Sequence, residues 1–309
     1  MKKRSRTQHK FFTLLTTLII VLGGYYLHAH PQTLTPLVHA TGVKSVTHKI
    51  TNSAAKLTKA TPAATAKGAK VPQDATDSQL LALTFDAKKY PENYANLGKA
   101  TLTKLQIKDA VNHSNGNAWY SVDPLDSLGR SGAGQALVTY DSVNATSKMK
   151  RPPFAESADP SGYKGNNRIA QLTGYRGYFY NRSHTLAWSL VGNLGGGATS
   201  SNAIMQRANL TTGTRAQNVG TNGRSTSTAG GMAYAETAIR TFVRNRPNIP
   251  VYYVVTPLYQ GSELVPRGTH VQAISATDDG AGLNINVYVF NNQAGATINY
   301  ATGSWTTGS

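Results

Sequence analysis

The sequence predicts an α+β domain built on a central antiparallel sheet with flanking helices. Several short segments are rich in β-branched and aromatic residues, which is typical of strands, and turn-forming residues separate them. One amphipathic segment lies between the earlier and the later strands, so strands and helices do not alternate regularly. The predicted strands are residues 118–123, 135–140, 251–256, 270–275 and 283–290, and the best predicted helix is 231–245.

Each predicted element has its own signal. The first two strands flank the turn-rich segment Ser127–Gly134, which predicts a connection between neighbouring strands. The last strand, residues 283–290, alternates apolar and polar residues, which predicts one face on the core and the other against solvent or a second layer. The helix ends before Pro247, which cannot continue it. Its apolar stripe consists of Ala235, Ala238, Ile239, Phe242 and Val243.

The N-terminal part differs in character from the rest. Residues 1–10 are strongly basic, and Phe11–Leu27 is an uncharged apolar run of 17 residues. This pattern is typical of an export signal and lies at the lower limit for a membrane span. We therefore expect a signal peptide or membrane anchor over 1–29, a disordered Thr/Ala/Lys-rich tether over 30–77 and one folded domain over 78–309. A basic end held in the cytoplasm predicts a secreted or extracellular, membrane-anchored domain.

The charge favours a polyanionic partner. The chain has 31 Lys and Arg residues against 14 Asp and Glu residues, and all the acidic residues lie at or beyond Asp74. Much of the net charge of +17 therefore belongs to the N-terminal part, but the remainder is still cationic. After Lys164 every Lys or Arg position is arginine, whose guanidinium matches phosphate in a bidentate way. A basic protein that simply prefers arginine on its surface explains the same composition.

The chain has no cysteine, which excludes disulfides and thiolate metal sites. Any metal must be held by oxygen or by imidazole nitrogen. These ligands favour Mg²⁺, Mn²⁺ or Ca²⁺ over structural zinc.

The segment Asn181–His184 is the first candidate for chemistry. It follows an aromatic-rich, strand-like run and precedes an apolar stretch. A neutral imidazole at the end of a strand, beside Arg182, suits removal of a proton from water next to an anionic substrate. A lone histidine beside a strand is more often structural, so the neighbouring segments decide between these interpretations.

A polar region, residues 192–224, follows and shows little helix or strand periodicity, which predicts a long functional loop. It contains Asn209 and Asn218 with Arg215 between them. Asparagine oxygen is an acceptable Mg²⁺ ligand when waters and a phosphate complete the shell. Asparagine in such a region is also a common turn residue.

Together, Asn181–His184, Asn209–Asn218 and Tyr234–Arg240 resemble the DNA/RNA non-specific endonucleases of the ββα-metal (His-Me finger) type. The nearest branches are the competence nucleases of DNA uptake and the secreted streptodornase-like DNases, and Tyr120–Arg130 is similar to an upstream strand and turn of these branches. The likeness covers roughly residues 115–303 in one consistent order.

The resemblance implies a role for each matched residue. His184 is the general base, Asn218 the direct ligand of a single Mg²⁺ (with Mn²⁺ able to substitute), and Glu236 holds the waters of the metal. Asn209 lies near the scissile phosphate, and Arg182 belongs to the catalytic motif. Arg151 and Arg215 are the expected substrate-binding residues. Asn181 and Ser183 replace the Asp and Gly of the broader family motif, and Asn keeps the shape and one acceptor of Asp.

Other interpretations compete with these roles. Glu236 at four residues from Arg240 could form only a surface ion pair, and Arg182 could be only a surface charge. The expected partner is DNA, with RNA not excluded, and the membrane if the N-terminal segment is uncleaved. The alternative functions are a non-catalytic DNA-binding surface protein for uptake and a wall- or membrane-associated interaction module. A serine hydrolase is disfavoured because no Gly-x-Ser-x-Gly element is present.

Overall fold

The computed structural model describes residues 71–155, 157–164, 178–220 and 229–307. The chain divides into two compact units, Met1–Ala69 and Lys70–Ser309, and the described residues belong to the second. The predicted signal or anchor, and the tether up to residue 70, lie outside the described residues. Within the described ranges, no helix has the length and apolar character that crossing a bilayer requires.

A six-stranded antiparallel sheet in the order β1-β8-β7-β6-β3-β2 forms the centre of the domain. Its strands are β1 (Tyr94–Gly98), β2 (Trp119–Val122), β3 (Gly134–Val138), β6 (Val251–Leu258), β7 (Gly268–Ser275) and β8 (Asn284–Phe290). Two further strands, β4 (Tyr180–His184) and β5 (Leu210–Thr214), pair in a separate antiparallel ribbon, and β9 (Ala296–Ile298) and β10 (Trp305–Thr307) form another.

The described α-helices are short except for one. They are α1 (Asp77–Leu81), α2 (Lys104–Asn112), α3 (Tyr140–Ser147), α4 (Trp188–Val191), α5 (Arg215–Val219) and α6 (Met232–Asn245). Short 3-10 helices occupy Gly192–Gly195, Ala203–Met205 and Arg207–Asn209. The predicted α+β class with a central antiparallel sheet is therefore confirmed.

The long helix α6 packs on one face of the sheet as its apolar stripe predicts. Ile239 and Val243 are fully buried and pack with residues such as Val255 and Val271 of the central strands. Burial of such a side chain contributes roughly 1.5–3 kcal/mol. The two outer members of the predicted stripe lie only partly buried at its edge. Helix α6 is thus a rigid element, and its flank carries Glu236.

Strand β8 is covered on both faces, as its alternating pattern allows. Val287 and Val289 face the core under α6. Tyr288 and Phe290 pack in a second cluster that includes Leu80 of α1. The second layer, and not solvent, therefore covers the opposite face. This cluster also contains Val71, so the folded domain includes residues that precede the predicted boundary at 78.

Two predictions from local pattern were incorrect. The predicted strand 135–140 ends at Val138, because Thr139 caps α3 through a reciprocal capping box with Ser142. The predicted loop 192–224 contains 3-10 helices, β5 and α5 in its described part. These elements are too short to show periodicity, and they are the elements that hold the two candidate asparagines.

Candidate active site

The ribbon β4–β5 presents the Asn181–His184 motif. Its register pairs Asn181 with Gly213 and His184 with Leu210. Along β4, Tyr180 and Ser183 are buried and the other three residues are partly exposed. The histidine is the last residue of the strand, so its ring lies where the ribbon meets helix α6.

His184 forms a hydrogen bond with Glu236 of α6. The Nε2–Oε1 distance is 2.9 Å, and the two side chains are 14% and 13% exposed. A neutral ring that donates from Nε2 to the carboxylate carries its lone pair on Nδ1, so the second nitrogen is the one able to accept a proton. The assignment of the ring proton to Nε2 is inferred from this hydrogen bond. Glu236 therefore contacts the histidine directly, and the alternative pairing of Glu236 with Arg240 does not occur.

Asn218 lies on the short helix α5, which follows β5 directly. Thr214 caps this helix by accepting a hydrogen bond from the Gln217 amide. The Asn218 Nδ2 donates to Asn181 Oδ1 at 3.4 Å, and Asn218 is only partly buried. This amide orientation leaves the Asn218 carbonyl oxygen to act as a ligand. The structure therefore joins Asn218 to the strand that carries His184.

The oxygen donors of the candidate site are of the kind that a hydrated divalent cation accepts. No group of three or more His, Cys, Asp or Glu residues able to hold a metal occurs among the residues described. A tetrahedral zinc site needs such a group. Mg²⁺ keeps several waters and accepts one or two protein oxygens together with substrate phosphate. Asn218 Oδ1 would supply a protein oxygen, and the Glu236 carboxylate is the acidic group of the site.

The Asn209 side chain is held entirely by the protein. It is fully buried, and its Oδ1 accepts hydrogen bonds from Thr185 Oγ1 at 2.6 Å and from the Leu186 amide at 2.8 Å. Its Nδ2 donates to the carbonyls of Leu186 and Ile204, both at 2.9 Å. Every polar group of the side chain is thus used inside the protein. Asn209 therefore fixes the turn directly after His184, and its predicted place near the scissile phosphate stays a prediction.

Arg182 is held by the segment that precedes β4. Its guanidinium forms a salt bridge with Asp159 at 2.5 Å and lies over the rings of Phe154 and Tyr163 at 5.3 and 5.0 Å. Arg182 is therefore a paired charge, and its predicted role in catalysis stays a prediction. Because a carboxylate and two rings already hold the guanidinium, Arg182 also ties this segment to the motif strand.

Arg151 shares the Phe154 ring with Arg182, since its guanidinium lies 5.1 Å from the ring centroid. Although the residue is exposed, desolvation of its guanidinium lowers the pKa of Arg151, and the negative charge of Glu236 opposes that shift. Arg151 is therefore within electrostatic reach of the His184–Glu236 pair. Arg215 is the partly buried first residue of α5, and its predicted contact with substrate stays a prediction.

Arg240 was not assigned a site role from the sequence. It lies one turn beyond Glu236 on α6, and its guanidinium donates to Ser189 Oγ at 3.2 Å and to Thr237 Oγ1 at 3.1 Å. Both of these partners are neutral hydroxyls. The sequence feature that could have identified Arg240 is its position four residues after Glu236, because this spacing places both side chains on one flank of the helix.

Tyr253 was also missed, because it looks like an ordinary strand residue. It is completely buried on β6. Burial and, second, the negative charge of Glu236 hold its pKa well above the usual range. The hydroxyl thus lies within electrostatic range of the site from the core side.

The ribbon, the helices that follow it and the antiparallel sheet beneath form the ββα-metal nuclease architecture that the motifs predicted. The chain belongs to the DNA/RNA non-specific endonuclease family, whose sequence model matches residues 60–308. The predicted family is thereby confirmed.

Relatives of known name agree with this assignment. A protein named deoxyribonuclease from Streptococcus dysgalactiae subsp. equisimilis is 33% identical over 209 residues, which cover 59% of this chain. That match spans 58% of the length of the relative, less than two thirds of it.

Two solved structures are similar in fold. The Sda1 nuclease with a bound zinc ion is 30% identical, with a TM-score of 0.56, and the match covers 72% of this chain and 100% of that one. NucA from Streptococcus agalactiae with a bound magnesium ion is 25% identical, with a TM-score of 0.53, and the match covers 70% of this chain and 87% of that one. A divalent metal is therefore a property of similar nucleases.

Proposed function

We propose that this chain is an exported endonuclease that hydrolyses DNA phosphodiester bonds without sequence preference, using His184 as general base and a single Mg²⁺ ion. The observation that carries the proposal is the 2.9 Å contact of His184 Nε2 with Glu236 Oε1. The ribbon that presents this pair is also joined, through Asn181, to Asn218. A proton acceptor and a metal ligand therefore belong to one compact unit.

The chemistry follows from these positions. His184 Nδ1 takes a proton from a water molecule as the water oxygen attacks phosphorus in line with the leaving 3′ oxygen. Glu236 stabilises the imidazolium that forms, because its carboxylate accepts from Nε2. The bond from phosphorus to the 3′ oxygen breaks, and that oxygen takes a proton from solvent, which leaves a 5′-phosphate on the other product. When bound at Asn218, Mg²⁺ supplies positive charge to the phosphate and the leaving oxygen.

Two arginines are the proposed partners of the scissile phosphate. Arg151 is exposed and lies within electrostatic reach of Glu236. Arg240 follows Glu236 on α6 and is held by hydroxyl groups. Guanidinium groups compensate the charge that develops on phosphate oxygens in the transition state. Arg182 acts with them through the Phe154 ring that it shares with Arg151.

DNA is the proposed substrate, with RNA as a second substrate of the same site. The name of the deoxyribonuclease relative supports DNA, and the family description includes RNA. A site that contacts the phosphate backbone reads a feature that all sequences share. The basic N-terminus and the apolar run Phe11–Leu27 support export. The domain would then be secreted or anchored at the extracellular face of the membrane.

Digestion of supercoiled plasmid and of structured RNA tests the proposal. The full chain is assayed with Mg²⁺, with Mn²⁺, and with EDTA followed by restored Mg²⁺. We expect plasmid cleavage with either metal, none in EDTA, and recovery on return of the ion. A DNA-uptake receptor would bind plasmid equally in all conditions and cut it in none. Cleavage that persists in EDTA would exclude the metal-dependent mechanism.

A further inference from the structure

A buried hydrogen-bond bridge joins the strand that carries His184 to the helix that carries Asn218. Ser183 Oγ donates to Gln217 Oε1 at 2.7 Å, and Gln217 Nε2 donates to Thr269 Oγ1 of β7 at 3.2 Å. The exposed fractions of Ser183, Gln217 and Thr269 are 0%, 0% and 1%. The bridge therefore runs, shielded from water, from β4 through α5 to the central sheet.

The bridge depends on a glycine in the facing strand. Gly213 of β5 lies opposite Asn181 in the ribbon. A Cβ atom at this position would overlap Gln217 Oε1 and the Ser183 Cβ atom. A residue with a side chain would therefore push the amide away from the serine hydroxyl, so the close approach requires glycine here.

Gln217 is also fixed by its backbone. Its amide donates to the capping hydroxyl of Thr214 at 2.9 Å, and that hydroxyl donates to the Asn292 carbonyl at 2.6 Å. With the backbone and the side chain both held, Gln217 has little freedom to move. Ser183 immediately precedes His184 and Gln217 immediately precedes Asn218. The bond between them therefore restricts the separation of the two neighbouring site residues.

We propose that Ser183 and Gln217 are positioning residues that hold the Asn218 ligand at a fixed distance from the general base. This inference rests on the proposed function, because it takes Asn218 as the metal ligand. The glycine of the broader motif has no hydroxyl at the position of Ser183, so the bond is a property of the serine-containing motif. Loss of the bond loosens α5 and weakens cation binding, because supporting contacts of this kind set the orientation of a ligand.

The test measures metal binding without relying on cleavage. Mn²⁺ is titrated into the full chain, and the free ion is followed by electron paramagnetic resonance. Ser183→Ala and Gln217→Met should each weaken Mn²⁺ binding by about tenfold, the lower end for loss of a supporting residue. The Mn²⁺ affinity of the double variant should lie within about twofold of that of the weaker-binding single variant, because both substitutions remove the same bond. Ser183→Gly gives the same expectation if the alanine variant folds poorly.

A control variant removes a partly buried side-chain hydrogen bond elsewhere. Tyr252→Phe deletes the hydroxyl that donates to Gln135 at 2.6 Å, and it should leave Mn²⁺ affinity unchanged within about twofold. Equal weakening in this control, or wild-type affinity in folded Ser183→Ala and Gln217→Met, overturns the inference. If the wild-type chain binds Mn²⁺ and cuts plasmid while these variants bind Mn²⁺ normally, only the positioning role of the bridge is contradicted. If the wild-type chain does neither, the proposed function fails as well.

Discussion

Two asparagines in the same polar region have opposite surroundings. Asn209 is fully buried with its amide oxygen and nitrogen both hydrogen-bonded, whereas Asn218 is partly buried and its described bond uses only the nitrogen. A buried amide with four partners determines the local backbone, and a partly exposed amide oxygen can bind a ligand. The two residues therefore have different expected phenotypes on truncation.

Asn209→Ala should destabilise the protein, and Asn218→Ala should not. The first substitution leaves the hydrogen-bonding groups of Thr185, Leu186 and Ile204 unpaired in the core, which costs at least about 2 kcal/mol. The second should change stability by less than about 0.5 kcal/mol and yet abolish metal-dependent cleavage. Urea unfolding of both variants, alongside plasmid assays, checks this; equal unfolding midpoints would contradict the positioning role of Asn209.

The family resemblance named candidate site residues but not the contacts that the structure gives them. His184 and Glu236 are 52 residues apart in the chain, and the family resemblance alone brought them together. The burial of Asn209 was not predictable, because its partners come from the turn after β4 and from a 3-10 helix that shows no periodicity. Hydrogen-bond saturation of a side chain depends on this tertiary packing.

At the level of elements, the Phe154 ring in the segment before β4 contacts one arginine of that segment and one of the motif strand. Phe154 lies within 5.1 Å of the Arg151 guanidinium and 5.3 Å of the Arg182 guanidinium. Each cation–π contact contributes about 0.5–1 kcal/mol at a partly exposed site. The ring therefore fixes both arginines on one surface before substrate arrives.

Phe154→Leu should raise KM for DNA by about three- to tenfold and leave kcat within about twofold, because it loosens two arginines without touching the His184–Glu236 pair. Phe85→Leu is the control, since Phe85 packs against Phe290 in another cluster. Steady-state kinetics on plasmid separate KM from kcat. A large fall in kcat with unchanged KM would show that Phe154 acts on the chemical step instead.

Strand β7 has a partly buried histidine, His270, that should affect stability in acid. Desolvation lowers the pKa of His270, although its hydrogen bond with Asn286 at 2.7 Å opposes the shift. The unfolded chain then binds the proton at higher pH than the folded one. Stability is therefore unaffected at high pH and falls as the pH drops from about 6.5, the ordinary value for histidine, toward the lower folded pKa.

His270→Gln should remove part of this acid dependence. We expect the difference in the free energy of unfolding between pH 7.5 and pH 5 to be smaller in the variant than in the wild-type protein. Urea denaturation at the two pH values measures it. An identical difference in both proteins would show that His270 does not contribute to acid destabilisation.

The elements themselves were predicted unevenly, for physical reasons. The central strands and α6 are long enough to show their period, and tertiary packing follows that pattern. Helix α3 was missed because Tyr140 is an aromatic residue typical of strands, whereas the capping box of Thr139 with Ser142 starts a helix there. Helix α5 has only five residues and its Thr214 cap was not recognised in a Gly/Thr-rich sequence.

At the scale of the whole molecule, charge and site should act together on nucleic acid. The net charge of +17 favours a polyanion. DNA affinity falls as salt rises, and the slope of log affinity against log salt concentration counts phosphate contacts. In Arg151→Ala this slope should be shallower by about one unit, because one phosphate contact is lost. Binding to uncleaved duplex in Ca²⁺ at several salt concentrations measures the slope. An unchanged slope would remove Arg151 from the phosphate-binding surface.

The central claim concerns the imidazole of His184. The most direct measurement is the single-turnover rate of plasmid cleavage at saturating Mg²⁺ for wild-type protein and His184→Ala, with DNA binding and thermal unfolding recorded on the same samples. Removal of a general base should slow cleavage by at least about a hundredfold, while DNA affinity and unfolding temperature stay close to those of the wild-type protein. A folded His184→Ala protein that cuts plasmid at more than about one third of the wild-type rate would contradict the account.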